Sequence, residues 1–503
     1  MSQLKRRTVA SGFIFKFPDD DVTKKPKVAL FRRSGEVSTY QHKYAPVAGS
    51  VETTDSSPLA TAWREINEET TLTETSLRLF RQGKPYSFTD ESIGREWTIN
   101  PFGFVLKSEK EGGVGEAGIQ IDWEHEGYEW FDPDAVDDSD DFGGVPRLLE
   151  SLRRVWFNID IGERAGGILN HGLIALQRDH ESGARQLASK ALGIFINVVN
   201  NLETDSRETW WKNARFAAWH LWKNGRESMG ASILSVVVSS LVVIEKNLPT
   251  DDLSLRSSID GIVEALEKHA QQRQTSSSQV GMSFKTFLDT HPPNAKTLKI
   301  LTLSSSSTIS ASITQALQAT KIPLDIRILE SRPLFEGTKM ASAIASFAHT
   351  HAIKTNITIF TDASVSAAAK DVDIVLLGAD IIDKQGNVSN KTGSLPAALV
   401  AKYVSSHVKI LVLSEREKVL PFEPPVQEEN DAREIVQSWE GMWLNKEMSS
   451  GSARVDVKNV YFEWVPAELI DLYVTEEGVI MVEGIAEWVE EERERADGFF
   501  TNL

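Results

Sequence analysis

The chain has 503 residues, 41% hydrophobic and 25% charged, a soluble-globular balance in a chain too long for one core, so two or three domains are expected. With 54 basic against 72 acidic residues the net charge is −18, which argues against a nucleic-acid-binding face but leaves room for a local basic pocket. There is no cysteine, so disulfides, thiolate chemistry and Cys-ligated zinc are excluded, and the ten histidines form no metal-binding spacing such as HExxH. The N-terminal apolar run is too short for a signal peptide, and the uncharged stretch Met229–Ile244 falls short of the ~20 residues of a bilayer span. No membrane association is expected, and a cytoplasmic or nuclear location is the default.

In residues 1–135, Val9–Phe15 and Lys27–Arg32 read as strands, with Pro18, Asp19–Asp21 and Pro26 between them. From Pro58, the residues Leu59, Ala62, Trp63 and Ile66 have helical spacing, with Ser56 or Ser57 as N-cap. Glu65, Glu68 and Glu69 lie at i, i+3 and i+4 and share one helix face. Clustered carboxylates need full solvation or a hard cation, and oxygen-only ligands suit Mg²⁺ or Mn²⁺. Trp97–Leu106 reads as a further strand pair.

Gly49, a loop acid at Glu52, a Pro-started helix and the segment REINEE together resemble the Nudix box, whose core Arg64, Glu65, Ile66, Glu68 and Glu69 match. The chain departs from it by one extra residue before Arg64, by Asp55 or Ser56 in place of the first Glu, and by Thr71 in place of the last Gly. The resemblance implies an α/β/α sandwich that hydrolyses a nucleoside diphosphate derivative. Its Mg²⁺ or Mn²⁺ would be held by Glu65, Glu68, Glu69 and Glu52, with Arg64 at the ligand. Glu124, His125, Glu126, Trp130 and Phe131 resemble the late Nudix segment, in contact or structural roles.

Val136–Pro146 is acidic and Gly-containing and reads as an exposed linker. Helical runs follow over 147–283: Arg147–Phe157, Ile168–Gln177, Ala184–Asn200, Glu208–Trp222, Ser228–Ile244 and Leu253–Ala270, a bundle of about six helices. Trp210, Trp211, Trp219 and Trp222 are read as core or interface. The polar tract Gln272–Gln279 reads as a flexible joint.

Over 284–503, strands at Leu298–Leu303, Leu324–Leu329, Ile357–Phe360, Ile374–Leu377 and Val408–Leu413 alternate with helices at Thr308–Thr320, Thr338–His351, Ser364–Lys370 and Ser394–Ser405. This alternation predicts a Rossmann-like, doubly wound parallel sheet. Its strand ends carry Ser304, Ser305, Ser306 and Ser307, then Arg332 and Gly337, then Thr361 and Asp362, then Asp380, the usual look of a ligand site. Asp380, Asn390 and Lys391 are expected to converge near the helix from Ser394, a natural place for a phosphate.

The blocks ILTLSSSS, ESRPLFEGTKMA, GADIIDKQGNVSNKTGS and Val457–Ile480 resemble, in order, those of methylthioribose-1-phosphate isomerase, ribose-1,5-bisphosphate isomerase and the alpha, beta and delta subunits of translation initiation factor 2B. The segments His180–Leu192 and Asn224–Ile233 resemble the helical domain of the same family, with Arg164 and Arg226 roughly where its isomerases carry phosphate-binding arginines. The resemblance implies sugar-phosphate binding, with Asp380 as acid–base group and Ser304 at the isomerases' Cys position. It equally implies a non-catalytic metabolite-sensing or assembly role with initiation-factor partners, and a homodimer formed through the sheet domain. The insert from Pro421 and the Glu- and Arg-rich tail from Glu483 read as surface, the tail as a solvated helix.

Overall fold

The computed structural model describes residues 4–180, 182–291, 296–320, 322–425, 429–439 and 456–503. Parts of the insert from Pro421, residues 426–428 and 440–453, lie outside them.

The N-terminal sheet is built from β1 (Lys5–Lys16), β2 (Lys27–Arg33), β3 (Tyr44–Ala45) and β4 (Val47–Ser50), the helix α1 (Pro58–Thr70), then β5 (Leu77–Gln82), β6 (Tyr86–Asp90), β7 (Arg95–Leu106) and β8 (His125–Phe131). The expected pair at Trp97–Leu106 is one long strand. β7 lies parallel to β1 from Lys5↔Arg95 to Phe15↔Val105, so its residues are spent on one continuous ladder instead of a hairpin. Alternation along β1 sends Phe13 and Phe15 into one core and Ile14 into another. α1 closes the Ile14 side with Ala62 and Ile66. Helix α2 (Leu148–Arg153) closes the other with Leu148 and Leu152, completing an α/β/α sandwich.

The stretch Val136–Pro146 is therefore no free linker. Val136 is buried, Phe142 and Val145 pack on the same core, and Tyr44 pairs with Gly144. Its apolar residues, few among the acids, decide its place.

The helical region holds α3 (Asn158–Ile161), α4 (Glu163–Arg178), α5 (Ala184–Val199), α6 (Arg207–Asn224), α7 (Gly230–Asn247), α8 (Asp252–Arg273) and α9 (Ser276–Thr290). Trp210, Trp219 and Trp222 are buried in its core and Trp211 packs against it. Residues 227–247 are long and apolar enough to cross a membrane by length and composition, but this is a central helix, with Ile233, Val237 and Leu241 buried. The tract Gln272–Gln279 is not a flexible joint: it closes α8 and opens α9. Val280, Phe284, Phe287 and Leu288 anchor α9 in the sheet domain's core.

The C-terminal part runs β9 (Leu298–Leu303), α10 (Ser307–Ala319), β10 (Leu324–Leu329), α11 (Glu336–Thr350), β11 (Asn356–Phe360), α12 (Val365–Ala368), β12 (Ile374–Leu377), β13 (Ile381–Ile382), β14 (Val388–Lys391), α13 (Ser394–Val404), β15 (Lys409–Leu413), α14 (Arg433–Val436), β16 (Phe462–Val465), β17 (Leu472–Thr475), β18 (Gly478–Ile480) and α15 (Val482–Phe500). The main sheet has the order β11-β10-β9-β12-β15-β17-β18, parallel except for the last strand. Strand order reverses between β9 and β12, so the loops leaving them flank the crevice where ligands of doubly wound sheets bind. The tail is not a solvated helix. α15 buries Ile485, Trp488, Val489, Ala496, Phe499 and Phe500, and Phe500 stacks on Trp222 at 5.9 Å.

Candidate functional site

Two cavities matter here: one gathers most candidates of the sheet domain, and the other lies beside the acidic helix of the N-terminal domain without being lined by its carboxylates. The larger, about 540 Å³, lies at the C-terminal ends of β9 and β12. Ser304, Ser305, Ser306, Asp380, Asn390, Lys391 and Arg226 all line it. Arg185, Lys339 and Lys418 line it too, so a chain of charge −18 keeps a basic pocket here.

Ser304 stands at φ 65°, a left-handed turn that takes the chain sharply from strand to helix, and its N–H donates to Ser331 Oγ at 2.7 Å. Ser306 caps α10, its Oγ accepting from Ile309 N–H. Gly378 packs beside both polar groups at the mouth: a Cβ there would sit 3.4 Å from Ser306 Oγ and from Asn390 Oδ1. Burial raises the pKa of the Asp380 carboxyl, against the pull of Lys418, Lys391 and Arg226. Burial also works against the Lys418 charge, but Glu415, Asp380 and Glu417 outweigh it and the Lys418 pKa is raised. Lys391 pairs with Glu336 at 2.9 Å and lies 4.4 Å from the Tyr461 ring centroid. Arg226 donates to the Asp179 carbonyl at 2.6 Å.

The helix N-terminus expected to hold a phosphate is already filled. Glu463 Oε1 accepts from Gly393 N–H and Leu395 N–H at the start of α13. The helix N-terminus that lines the cavity is that of α10, among Ser304–Ser307.

Three expected ligand residues lie elsewhere. Arg332 reaches solvent, half exposed, over the Phe335 ring, while its N–H and that of Ser331 donate to Asp362. Gly337 packs where a Cβ would come 1.8 Å from the Leu329 carbonyl, which makes it a close-approach glycine of the α11 turn. Arg164 lines a separate cleft with Glu203, Asp205 and Arg256. Arg185 and Lys339 lie within the blocks His180–Leu192 and ESRPLFEGTKMA without being singled out there, Lys418 lies outside every block, and the tertiary fold brings the three together.

The second cavity, about 270 Å³, lies against β4 in the N-terminal sandwich. Gly49 lies under Glu65 of α1: a Cβ there would come 1.9 Å from the Glu65 carboxylate. Arg64 Nη1 pairs with Glu65 at 2.8 Å and Glu68 at 3.1 Å, and Nη2 with Asp55 at 3.1 Å. Of the two residues read at the first Glu of the box, Asp55 is the one that pairs with Arg64. Arg64, Thr61 and the Glu52 N–H hold its carboxyl well below the usual range. Thr71 ends α1 at φ 61°, the conformation for which the box uses glycine.

Burial pushes Glu65 up to about 7, despite Arg64, and raises Glu69 well above the ordinary value, helped by Glu124 and Asp122. Glu69 Oε2 meets the buried His125 Nε2 at 2.5 Å. Glu68 is exposed, and Glu52 sits in the exposed turn before α1. Among the described residues, no three His, Cys, Asp or Glu converge tightly enough to hold a metal ion as they stand. The donor chemistry nonetheless fits Mg²⁺ or Mn²⁺: Glu65 and Glu68 offer hard oxygens to one shared cation, here a guanidinium, and two buried acids lack enough positive charge.

A doubly wound sheet with a basic crevice at its switch point, preceded by a sandwich with an acidic helix, defines a two-module α/β protein. The chain belongs to the initiation factor 2 subunit family, whose sequence model matches residues 180–482, and a NUDIX domain matches residues 11–152, so it is a fusion of the two. The methylthioribose-1-phosphate isomerase of Vitis vinifera is 25% identical over 262 residues, 50% of this chain and 67% of that protein. That of Zea mays is 27% identical over 234 residues, 43% of this chain and 60% of the relative. The ribose 1,5-bisphosphate isomerase of Archaeoglobus fulgidus is 30% identical over 161 residues, 31% of this chain and under half, 46%, of the relative. Among solved structures, the tetrameric eIF2B-beta2-delta2 complex from C. thermophilum aligns with TM-score 0.49 at 13% identity, covering 67% of this chain and 97% of that one. NUDIX domains generally use Mg²⁺ or Mn²⁺.

Proposed function

We propose that the N-terminal domain hydrolyses the phosphoric anhydride of a nucleoside diphosphate derivative, and that the C-terminal pocket binds a sugar phosphate of the kind such a cleavage releases. The observation that carries the reading is the position of Glu65: its carboxylate lies on Gly49, and the same strand walls a cavity that Arg7, Arg33 and Arg95 line and no carboxylate enters. Glu65, Glu68 and Glu69 would hold Mg²⁺ or Mn²⁺, which when bound polarises the diphosphate and offsets its charge. Arg64 and Asp55 fix α1 to the loop before it, so the acids face the anhydride at a set angle. His125 holds Glu69 in one orientation. The arginines bind the phosphate oxygens by their planar forks.

The test is turnover of a panel of nucleoside diphosphate derivatives, ADP-ribose among them, with Mg²⁺ or Mn²⁺, by intact protein and by Glu68→Gln. Turnover that drops at least a hundredfold in Glu68→Gln supports the hydrolase, and no turnover by a folded wild type rejects it.

A second reading concerns the C-terminal pocket, where Asp380 faces Lys391, Lys418 and Asn390: an aldose–ketose isomerase in which Asp380 moves the proton. Methylthioribose 1-phosphate and ribose 1,5-bisphosphate are the probes. Conversion that disappears in Asp380→Asn supports it; binding without conversion leaves a sensing pocket.

A further inference from the structure

The N-terminal cavity also bears on which half of the substrate is recognised. Its volume, about 270 Å³, falls below the ~300–1,000 Å³ of pockets that enclose a whole drug-sized ligand. It therefore takes part of a nucleoside diphosphate derivative and leaves the rest outside. Its walls divide by chemistry. On β6, Tyr86 and Phe88 are two residues apart, point to the same face, and hold their rings 18° from parallel with centroids 6.1 Å apart. Trp97, with the Arg95 guanidinium 5.2 Å from its ring centroid, forms the adjoining wall. Arg7, Arg33 and Arg95 supply the charge.

Tyr86 is fixed in place. Its hydroxyl lies 2.7 Å from Ser151 Oγ and donates to the Arg147 carbonyl at 3.3 Å, and the Arg154 guanidinium covers its ring at 4.5 Å. A ring held this way loses little freedom when another ring stacks on it, which favours a planar aromatic ligand over a flexible one.

We propose that this cavity is the nucleoside subsite of the hydrolase. The planar base stacks on the Tyr86–Phe88 platform, the diphosphate runs past Arg33 and Arg7 toward Glu65, and the second half of the substrate lies outside the cavity. The inference rests on the hydrolase reading and adds that affinity comes from the nucleoside half.

The experiment is isothermal titration of the intact protein, in chelator, with methylene-bridged adenosine diphosphate and with inorganic pyrophosphate. Phe88→Leu, at a partly buried position, and Tyr86→Leu are compared with wild type, and melting curves confirm that both variants fold. Base–aromatic stacking sets the expected scale: each variant weakens the adenosine ligand about tenfold and leaves pyrophosphate within about twofold. Equal affinity of wild type and both folded variants for the adenosine ligand overturns the proposal, as does pyrophosphate binding as tight as the nucleotide. Loss of turnover in Glu68→Gln with stacking-dependent binding intact upholds both readings. A wild type that binds the nucleotide in this way yet hydrolyses nothing sinks the hydrolase alone.

Discussion

Glu463 Oε1 accepts the Gly393 N–H at 2.6 Å and the Leu395 N–H at 3.0 Å, so the chain supplies its own anion to the start of α13. A capping carboxylate of this kind contributes about 1 kcal/mol. Glu463→Ala is expected to lower stability by about that amount in urea denaturation. It also frees two N–H groups for a solution anion, so phosphate should stabilise the variant more than the wild type. An identical phosphate response in the two proteins counts against the assignment.

Asp55 and Arg64 answer the question left by the irregular Nudix box. The shorter acid reaches the same guanidinium because the loop carries one more residue, and it also accepts from Thr61 and the Glu52 N–H. Asp55→Asn removes the charge while keeping the shape, and is expected to cut hydrolysis at least tenfold through a misplaced α1. Substrate binding at the Tyr86–Phe88 platform should change little. Steady-state kinetics check it: a fall in kcat with KM nearly constant is the expected split.

Much of the architecture was legible because a few local signals are hard to mistake. Leu298–Leu303, Leu324–Leu329 and Ile374–Leu377 are strands over those very bounds: Ile374–Leu377 is an apolar run buried throughout, and in the other two Lys299, Asp325 and Arg327 take the half-buried positions between buried aliphatic residues. The residues that misled were apolar stripes hidden under polar composition. The spacing of Ile485, Trp488, Val489, Ala496 and Phe500 marked α15 as a packed helix, and Val280, Phe284, Phe287 and Leu288 did the same for α9. Within the sites, Ser304, Asp380, Asn390 and Lys391 were readable from strand ends and a family motif. Arg7, Arg33, Arg95, Lys418 and the platform of Tyr86 and Phe88 were not, since each comes from a separate segment and acquires its role only when the sheets are assembled.

The two modules are joined through a buried cation. Arg81 on β5 donates to the Asn170 side chain and to the Val155 carbonyl, and its guanidinium lies 3.8 Å from the Phe157 ring centroid. Beside it, Asn224 exchanges hydrogen bonds with the Gln82 backbone. Burial pushes the Arg81 pKa well down, with no carboxylate to offset it. Arg81→Ala leaves a cavity and two unpaired acceptors, and is expected to cost about 3–5 kcal/mol. Arg81→Met fills the volume with apolar atoms and should cost clearly less. Chemical denaturation of the two variants decides it. Equal losses would mean that the charge, not the packing, holds the seam.

Glu476 gives the chain a pH dependence of defined sign. It accepts twice from the Arg416 N–H, and burial raises its pKa to about 7, with Glu415 and Glu417 adding to the shift. In the unfolded chain a glutamate titrates near ~4.3. Between those two values the folded state holds the proton and the unfolded state does not, so stability falls as pH rises through the window and the loss is complete above about 7. The shift corresponds to at most about 3–4 kcal/mol at this site. Glu476→Gln keeps an acceptor for the Arg416 N–H and removes the titration. Urea denaturation from pH 5 to pH 8 should therefore show the variant gaining on the wild type as pH rises, with the difference levelling off above pH 7. A constant difference across that range would show that Glu476 ionises in the folded protein as it does in the unfolded one.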